Sequence, residues 1–155
     1  MTTQLDPRFV AALAQPDSIK IIATADADGT PRLVEHDSLH LDDDGRLVLL
    51  ETDEHAPGNR NLVRSIWFDR KIAIHVRDTA GRHFRVLGKP YKALIAGPRF
   101  ELHYRRLQAE NPPLALSTVW LIDPQAPEDV PQDHHSSGGA AGRLPLIHLD
   151  RLARQ

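Results

Sequence analysis

The sequence predicts a mainly β protein, a six-stranded antiparallel β-barrel with accessory helices. Short apolar segments are separated by turn residues such as Asp28-Gly29. From residue 71 to 76, apolar side chains alternate with polar or small ones, which is typical of a strand with one buried face. Residues 84–95 form a strand long enough to bend around a barrel at Gly88. The 155 residues, 41% of them hydrophobic, are enough for one domain.

The first half of the chain predicts one helix and three strands. Asp6 before Pro7 is typical of a helix start, and Pro16 ends that helix. A hairpin follows around Asp28-Gly29, and the acidic turn at 42–45 leads into the next strand. The six predicted strands span residues 19–24, 31–41, 46–52, 71–76, 84–95 and 114–122.

Two more helices are predicted between these strands. The first spans residues 59–67, with Asn59 as its cap and Leu62, Val63 and Ile66 at helical spacing. The second spans residues 98–110, and we expect it to pack across a barrel edge with three side chains on one face: Phe100, Tyr104 and Leu107.

The composition changes near the end of the chain. Residues 1–123 are predicted to form the barrel domain with its N-terminal helix. Residues 124–142, rich in Pro, Ser and Gly, are predicted to be a flexible linker. Residues 143–155 form a C-terminal tail that regains apolar character, and we expect it to dock on the same subunit or on a second one.

Charge and cysteine content exclude several classes of protein. The net charge of −2 argues against a nucleic-acid binder. The absence of cysteine excludes a disulfide scaffold, a thiolate zinc site and a cysteine nucleophile. The N-terminus lacks the pattern of a signal peptide, and no apolar run reaches membrane-spanning length. We therefore expect a soluble cytoplasmic protein with no membrane partner.

The loop between the third strand and the second helix is a candidate phosphate site. Backbone amides and a helix start follow one another there, which suits a phosphate-bearing cofactor. Asn61 is the best candidate contact because an amide side chain both donates and accepts hydrogen bonds. Thr52 is a second candidate hydrogen-bond donor to such a cofactor.

Three segments resemble the FMN-binding split β-barrel of the pyridoxamine 5'-phosphate oxidase superfamily. Residues 82–89, RHFRVLGK, look like the family's strand ending in a Val-x-Gly-Lys step. Residues 21–24 and 28–31 are similar to its first hairpin, and 148–151 to its C-terminal His-Asp-Arg with one residue inserted. The resemblance covers roughly residues 15–123, the scale of one such domain. It implies a homodimer with the flavin between its subunits.

The resemblance also implies a function and a set of site residues. The chain is expected to be an FMN-dependent oxidoreductase acting on an unidentified small molecule. Family members commonly carry Ser-Arg-Lys or Lys-Thr in the phosphate loop, where this chain has Ala56-Pro57-Gly58, so Arg32, Arg60, Arg64 or Lys89 must supply the charge. No catalytic base is assigned. The expected cofactor contacts are Arg32, Thr52, Gly58, Asn59, Asn61, His83 and Lys89, with His148 and Arg151 on the substrate side.

Two alternatives remain open at the level of sequence. The nine histidines and the altered phosphate loop suggest a haem or tetrapyrrole binder on the same barrel, with His148 as the candidate axial ligand. A cofactor-free dimer is the other alternative. No histidine pair has cysteine or glutamate at a recognised metal spacing, so no metal site is assigned.

Overall fold

The computed structural model describes residues 4–125 and has the predicted architecture, a curled antiparallel sheet with three helices. The mainly β split-barrel prediction is confirmed. The helices are α1 (Pro7–Ala14), α2 (Pro57–Trp67) and α3 (Pro98–Glu110). The strands are β1 (Ile19–Ala25), β2 (Pro31–Glu35), β3 (His40–Leu41), β4 (Leu47–Glu51), β5 (Ile72–Arg77), β6 (His83–Leu94) and β7 (Thr118–Pro124).

The sheet has seven strands, one more than predicted, in the order β2-β1-β5-β6-β7-β4-β3. The predicted strand 31–41 is divided, and its halves β2 and β3 lie at opposite edges of the sheet. Residues between them connect the two edges. The His36 amide donates to Lys20 O on β1 at 2.9 Å. The Ser38 hydroxyl meets both the amide and the carbonyl of Leu50, on β4, at 3.1 Å.

Strand β6 joins the two halves of the barrel. Its first part pairs with β5 and its second part with β7, and Gly88 pairs with both Ile72 and Pro124 where the two ladders meet. A Cβ atom on Gly88 would lie 2.6 Å from Ile122 Cγ2 and 3.1 Å from Ile74 Cδ1. The register irregularity comes slightly later, between Pro90 and Lys92.

The main core fills the barrel interior. Trp120, Leu47, Leu49 and Ile74 are buried there, and α1 covers one end with Phe9. Burial of each such side chain contributes about 1.5–3 kcal/mol. The Asp6 cap of α1 is confirmed, because its carboxylate accepts from the Arg8 amide at 2.8 Å.

Helix α3 packs on the outside of β4 and β7 through a second apolar cluster. Leu107 is buried and Phe100 is partly buried in that cluster, as expected. The Tyr104 ring stacks on Phe100 with centroids 6.2 Å apart, which agrees with a shared face, but Tyr104 is exposed, whereas His103 is buried. The His103 ring lies 5.7 Å from the ring of His40 on β3.

Helix α2 differs most from its prediction. It begins at Pro57 with Ala56 as the N-cap, so the assignment of Asn59 as cap is wrong. Its buried residues are Asn61, Leu62 and Ser65, while Val63 and Ile66 are exposed. The outer side of α2 therefore carries apolar side chains.

No helix in residues 4–125 is long and apolar enough to cross a membrane. The chain from residue 126 onward, with most of the predicted linker and the whole predicted tail, lies outside the described residues.

Candidate cofactor groove

An open groove of about 490 Å³ lies beside the start of α2. One wall is β2, and the opposite wall is formed by the last residue of β4 and the first turn of α2. Most of its lining residues are apolar or glycine. The lining residues are Pro31, Arg32, Leu33, Val34, His36, Glu51, Ala56, Pro57 and Gly58.

The loop from Glu51 to Ala56 uses most of its amides internally. Glu51 Oε1 accepts from the amides of Thr52 at 3.0 Å and Asp53 at 2.9 Å. Asp53 in turn accepts from the amides of His55 and Ala56. The backbone amides that were expected to suit a phosphate are thus largely hydrogen-bonded within the loop.

The first turn of α2 leaves one amide facing outward. Ala56 O accepts from the amides of Asn59 at 3.0 Å and Arg60 at 3.4 Å. Pro57 has no amide hydrogen. Among residues 4–125, no backbone carbonyl accepts from the Gly58 amide, so Gly58 alone in this turn presents a free backbone donor to the groove.

A carboxylate and an imidazole lie in the groove wall. Glu51 is 7% exposed, and its Oε1 accepts the hydrogen bonds of the two loop amides. Burial lowers the pKa of His36, while the charges of Glu51 and Asp37 oppose that shift. A neutral imidazole beside a carboxylate leaves this part of the groove without a positive charge.

A second cavity of about 380 Å³, the α2 recess, adjoins the groove through Arg32 and Pro57. It lies between the β1–β2 turn and the flank of α2. Three arginines and two aspartates give it a net charge of +1 (3 − 2). Its lining residues are Asp26, Ala27, Asp28, Arg32, Pro57, Arg60, Asn61 and Arg64.

A polar network joins the two cavities. Asn61 Nδ2 donates to Thr24 Oγ1 at 3.0 Å and to Asp26 Oδ1 at 2.8 Å. Asp26 also accepts from Arg32 Nε, at 2.8 Å and 2.7 Å to its two oxygens. The hydrogen bond from Asn61, followed by that from Arg32, lowers the pKa of Asp26. Arg32 is therefore held at the border of groove and recess by a charged partner.

The structure brings together three of the predicted cofactor contacts. Arg32 and Gly58 line the groove, and Asn61 lines the recess with Arg32. Thr52 directly follows Glu51 and is exposed beside the groove. Asn59 points elsewhere: its Oδ1 accepts from Trp120 Nε1 at 2.8 Å, and its Nδ2 donates to Glu54 O at 3.1 Å.

Two predicted contacts lie away from the groove in the same chain. His83 pairs with Arg77, which pairs with Ile19, whereas Arg32 pairs with Thr24. These two levels are five positions apart on β1, about 16 Å along the strand. The His83 ring stacks on His75 with centroids 5.1 Å apart. Lys89 forms an ion pair with Asp69. His148 and Arg151 lie outside the described residues.

Two titratable groove residues, Glu51 and His36, were not among the predicted contacts, although Glu51 had a sequence signal. Leu47, Leu49 and Glu51 occur at period two and are all buried, so strand periodicity alone places Glu51 inward. His36 had no such signal, because its position depends on the break between β2 and β3.

Comparisons with known proteins support the fold. No family model matches the chain, and no curated protein matches it in sequence. It is similar in structure to HupZ of Group A Streptococcus (TM-score 0.61, 19% identity, covering 79% of this chain and 90% of the other). It is also similar to an F420 reductase (TM-score 0.58, 20% identity, covering 79% of this chain and 97% of the other). A third similar structure is a candidate pyridoxamine 5'-phosphate oxidase of Lactobacillus delbrueckii (TM-score 0.57, 22% identity, covering 79% of this chain and 93% of the other).

A more distant likeness is to HutZ, described as the haem storage protein of Vibrio cholerae (TM-score 0.50, 12% identity, covering 81% of this chain and 93% of the other). All four identities are low, so these likenesses establish the split-barrel fold and not a ligand.

Proposed function

We propose that the protein is an FMN-dependent oxidoreductase of the pyridoxamine 5'-phosphate oxidase-like class, acting on a small molecule as a homodimer. The observation that carries the proposal is the groove itself. It lies beside the loop and helix where the family resemblance expects the flavin phosphate, and it contains Arg32 and Gly58 from the expected contacts.

The composition of the groove suits a flat heteroaromatic ring. Ligand sites usually combine apolar walls with a few polar groups that fix orientation. Here Leu33, Val34 and Pro57 provide apolar surface. The Gly58 amide is a free donor, and His36 offers an imidazole to a ring edge.

The residues of this chain would bind and orient the flavin, and when bound it supplies the redox chemistry. Arg32 is fixed in position by Asp26 and offers its remaining N–H groups to the ligand. Thr52, beside the groove, stays a candidate donor. We assign no general base, and the substrate roles of His148 and Arg151 remain predictions.

The homodimer proposal is supported by exposed apolar surface in the groove wall and along α2. Leu33 is 72% exposed and Trp67 is 79% exposed, values that are high for large apolar side chains. Val63 and Ile66 add to this surface on α2. A second copy covering it would also close the open groove and bring further residues to the ligand, with His83 as the expected one.

Titration with FMN, followed by flavin fluorescence, tests the proposal together with mass spectrometry of any molecule that co-purifies. We expect stoichiometric binding of one flavin per subunit. Leu33→Glu, in the groove wall, should weaken binding at least tenfold because it puts a charge against the ring. Leu102→Glu is the matched control, since Leu102 is 49% exposed on α3. A protein that binds no flavin would contradict the proposal.

Haem or another tetrapyrrole is the second candidate ligand. Two observations favour it: the likeness to HutZ, and an imidazole in the groove whose lowered pKa keeps it neutral and able to ligate iron. His148, the ligand first expected, lies outside the described residues. An intense Soret band on haem addition, lost in His36→Ala, would support this candidate. Absence of both flavin and haem binding would favour a cofactor-free dimer.

A further inference from the structure

We propose that the α2 recess is a phosphate subsite in which Arg60 and Arg64 bind the terminal phosphate of the cofactor, with Arg32 at its border. The inference rests on the proposed function and assigns the phosphate to the flank of α2 instead of to the loop before it. It identifies a cationic site in a chain that lacks the usual cationic loop residues.

The two α2 arginines carry positive charges that line the recess one helical turn apart. Arg60 is the fourth residue of α2, near the positive end of the helix dipole. Arg64 lies one turn later, and like charges at this spacing repel each other. Neither guanidinium group forms a hydrogen bond or ion pair with another residue of the described chain. Within residues 4–125, no ion pair offsets the repulsion between the two charges.

Both acidic residues of the recess already accept hydrogen bonds from other residues of the chain. Asp26 accepts from Asn61 and Arg32. Asp28 accepts from the Thr30 amide at 3.0 Å within the turn. The remaining positive charge therefore belongs to the pair of α2 guanidinium groups, whose planar N–H forks match phosphate oxygens.

The loop offers no comparable site. The amides of Thr52 and Asp53 bind the Glu51 carboxylate, which would also repel a phosphate placed beside it. In the groove, Arg32 is paired with Asp26. A ligand whose ring lies in the groove would thus reach the nearest positive potential by extending past Pro57 into the recess.

The affinities of FMN and riboflavin measure this subsite directly, because the two molecules differ only in the phosphate. We expect the wild type to prefer FMN by about 100-fold at low salt, roughly tenfold for each guanidinium group. The double variant Arg60→Gln/Arg64→Gln should bind FMN and riboflavin almost equally. Its riboflavin affinity should stay unchanged, since the groove is intact.

Arg105→Gln/Arg106→Gln is the matched control. Both residues are exposed on α3, and the variant removes the same charge from a helix outside the recess. It should keep the wild-type preference for FMN. If the Arg60/Arg64 variant loses its native circular dichroism, the single variants Arg60→Gln and Arg64→Gln provide the same comparison.

The outcomes separate the subsite from the flavin function. A retained FMN preference in Arg60→Gln/Arg64→Gln would overturn the subsite and leave the function standing. If the wild type binds neither flavin, the proposed function fails, and calorimetry with inorganic pyrophosphate decides the subsite. Binding at about 1 mM or tighter that depends on Arg60 and Arg64 would support it, whereas absent or unchanged binding would overturn it.

Discussion

Asn61 donates a hydrogen bond to Asp26 Oδ1 at 2.8 Å and thereby ties helix α2 to the turn between β1 and β2. Asn61 is 2% exposed, and the same amide nitrogen also bonds Thr24 Oγ1. Because Asp26 holds Arg32 at the border of the groove, this buried amide sets the distance between the two walls that would enclose a ligand. Asn61 therefore contributes to the site by positioning Asp26 and, through it, Arg32, in addition to any direct contact with a ligand.

Replacing Asn61 should destabilise the protein and disturb Asp26. Asn61→Ala removes the buried donor from two acceptors, which typically costs about 1–3 kcal/mol in the free energy of unfolding. The pKa of Asp26 should rise toward its usual value of 3.8, since the largest cause of its lowering is lost. Urea denaturation measures the first effect, and carboxyl titration by NMR measures the second.

Asn111→Ala is the control for this prediction. Asn111 follows α3, is exposed, and makes no side-chain hydrogen bond with the described residues. Its replacement should change the free energy of unfolding by less than about 0.5 kcal/mol. Equal effects of the two alanine variants would contradict the role assigned to Asn61.

Gly88 should not tolerate even a methyl group. A Cβ atom there would lie 2.6 Å from Ile122 Cγ2 and 3.1 Å from Ile74 Cδ1, so Gly88→Ala forces packed core side chains to move. Such overpacking typically costs about 1–3 kcal/mol. Thermal unfolding should show a lower midpoint for this variant.

Gly58→Ala is the matched substitution at an open position. Gly58 lies in the first turn of α2, and no atom lies within 4 Å of the point that a Cβ atom would occupy there. Alanine should be neutral or stabilising there by up to about 1 kcal/mol. A Gly88→Ala protein as stable as the wild type would show that the barrel interior repacks freely at this point.

The sequence predicted those elements whose signals are local. The alternation of Ile72, Ile74 and Val76 and the Asp28-Gly29 turn correspond to β5 and to the β1–β2 connection. Gly88 in the Val-x-Gly-Lys step, which carried the family resemblance, has a physical role in the crowded interior.

The buried face of α2 could not be predicted in this way. Val63 and Ile66 have apolar helical spacing, yet Asn61 is buried in their place because Thr24 and Asp26 satisfy its amide. Those partners are 37 and 35 residues away in sequence. The break between β2 and β3 likewise depends on contacts with Lys20 and Leu50 on other strands. Neither the buried face of α2 nor the break between β2 and β3 can therefore be predicted from a local sequence pattern.

Stability should fall as the pH is lowered below about 6.5, where unperturbed histidines become protonated. Burial lowers the pKa of His36 and of His103 below 6.5, and for His103 the neighbouring His40, Arg106 and Arg99 act in the same direction, against Asp42. The unfolded chain then binds more protons than the native one between the lowered pKa and 6.5. The stabilisation is complete above 6.5 and is lost as the pH falls toward the lowered values.

His103→Gln should reduce this pH dependence, because glutamine does not titrate. The contribution of His36 should remain, so we expect a smaller slope and not a flat profile. His55→Gln is the control, since the His55 side chain is 88% exposed and its replacement should leave the slope unchanged. Free energies of unfolding from urea titrations at several pH values provide the comparison. An unchanged slope in His103→Gln would contradict the assignment.

Trp67→Glu should weaken the proposed homodimer. Trp67 is 79% exposed at the end of α2 and Phe68, beside it, is 64% exposed, so a partner subunit has a large aromatic surface to cover. Buried aromatic residues at the centre of an interface commonly contribute 2 kcal/mol or more, about 30-fold in the dissociation constant. Sedimentation velocity over a concentration series should detect that change.

Ile95→Glu is the control, because Ile95 is 74% exposed directly after β6, on a different element from the α2 surface. Dissociation by Ile95→Glu but not by Trp67→Glu would place the interface at the end of β6. A wild type that is monomeric at about 100 μM would contradict the homodimer itself, because such weak association cannot hold a shared cofactor site closed.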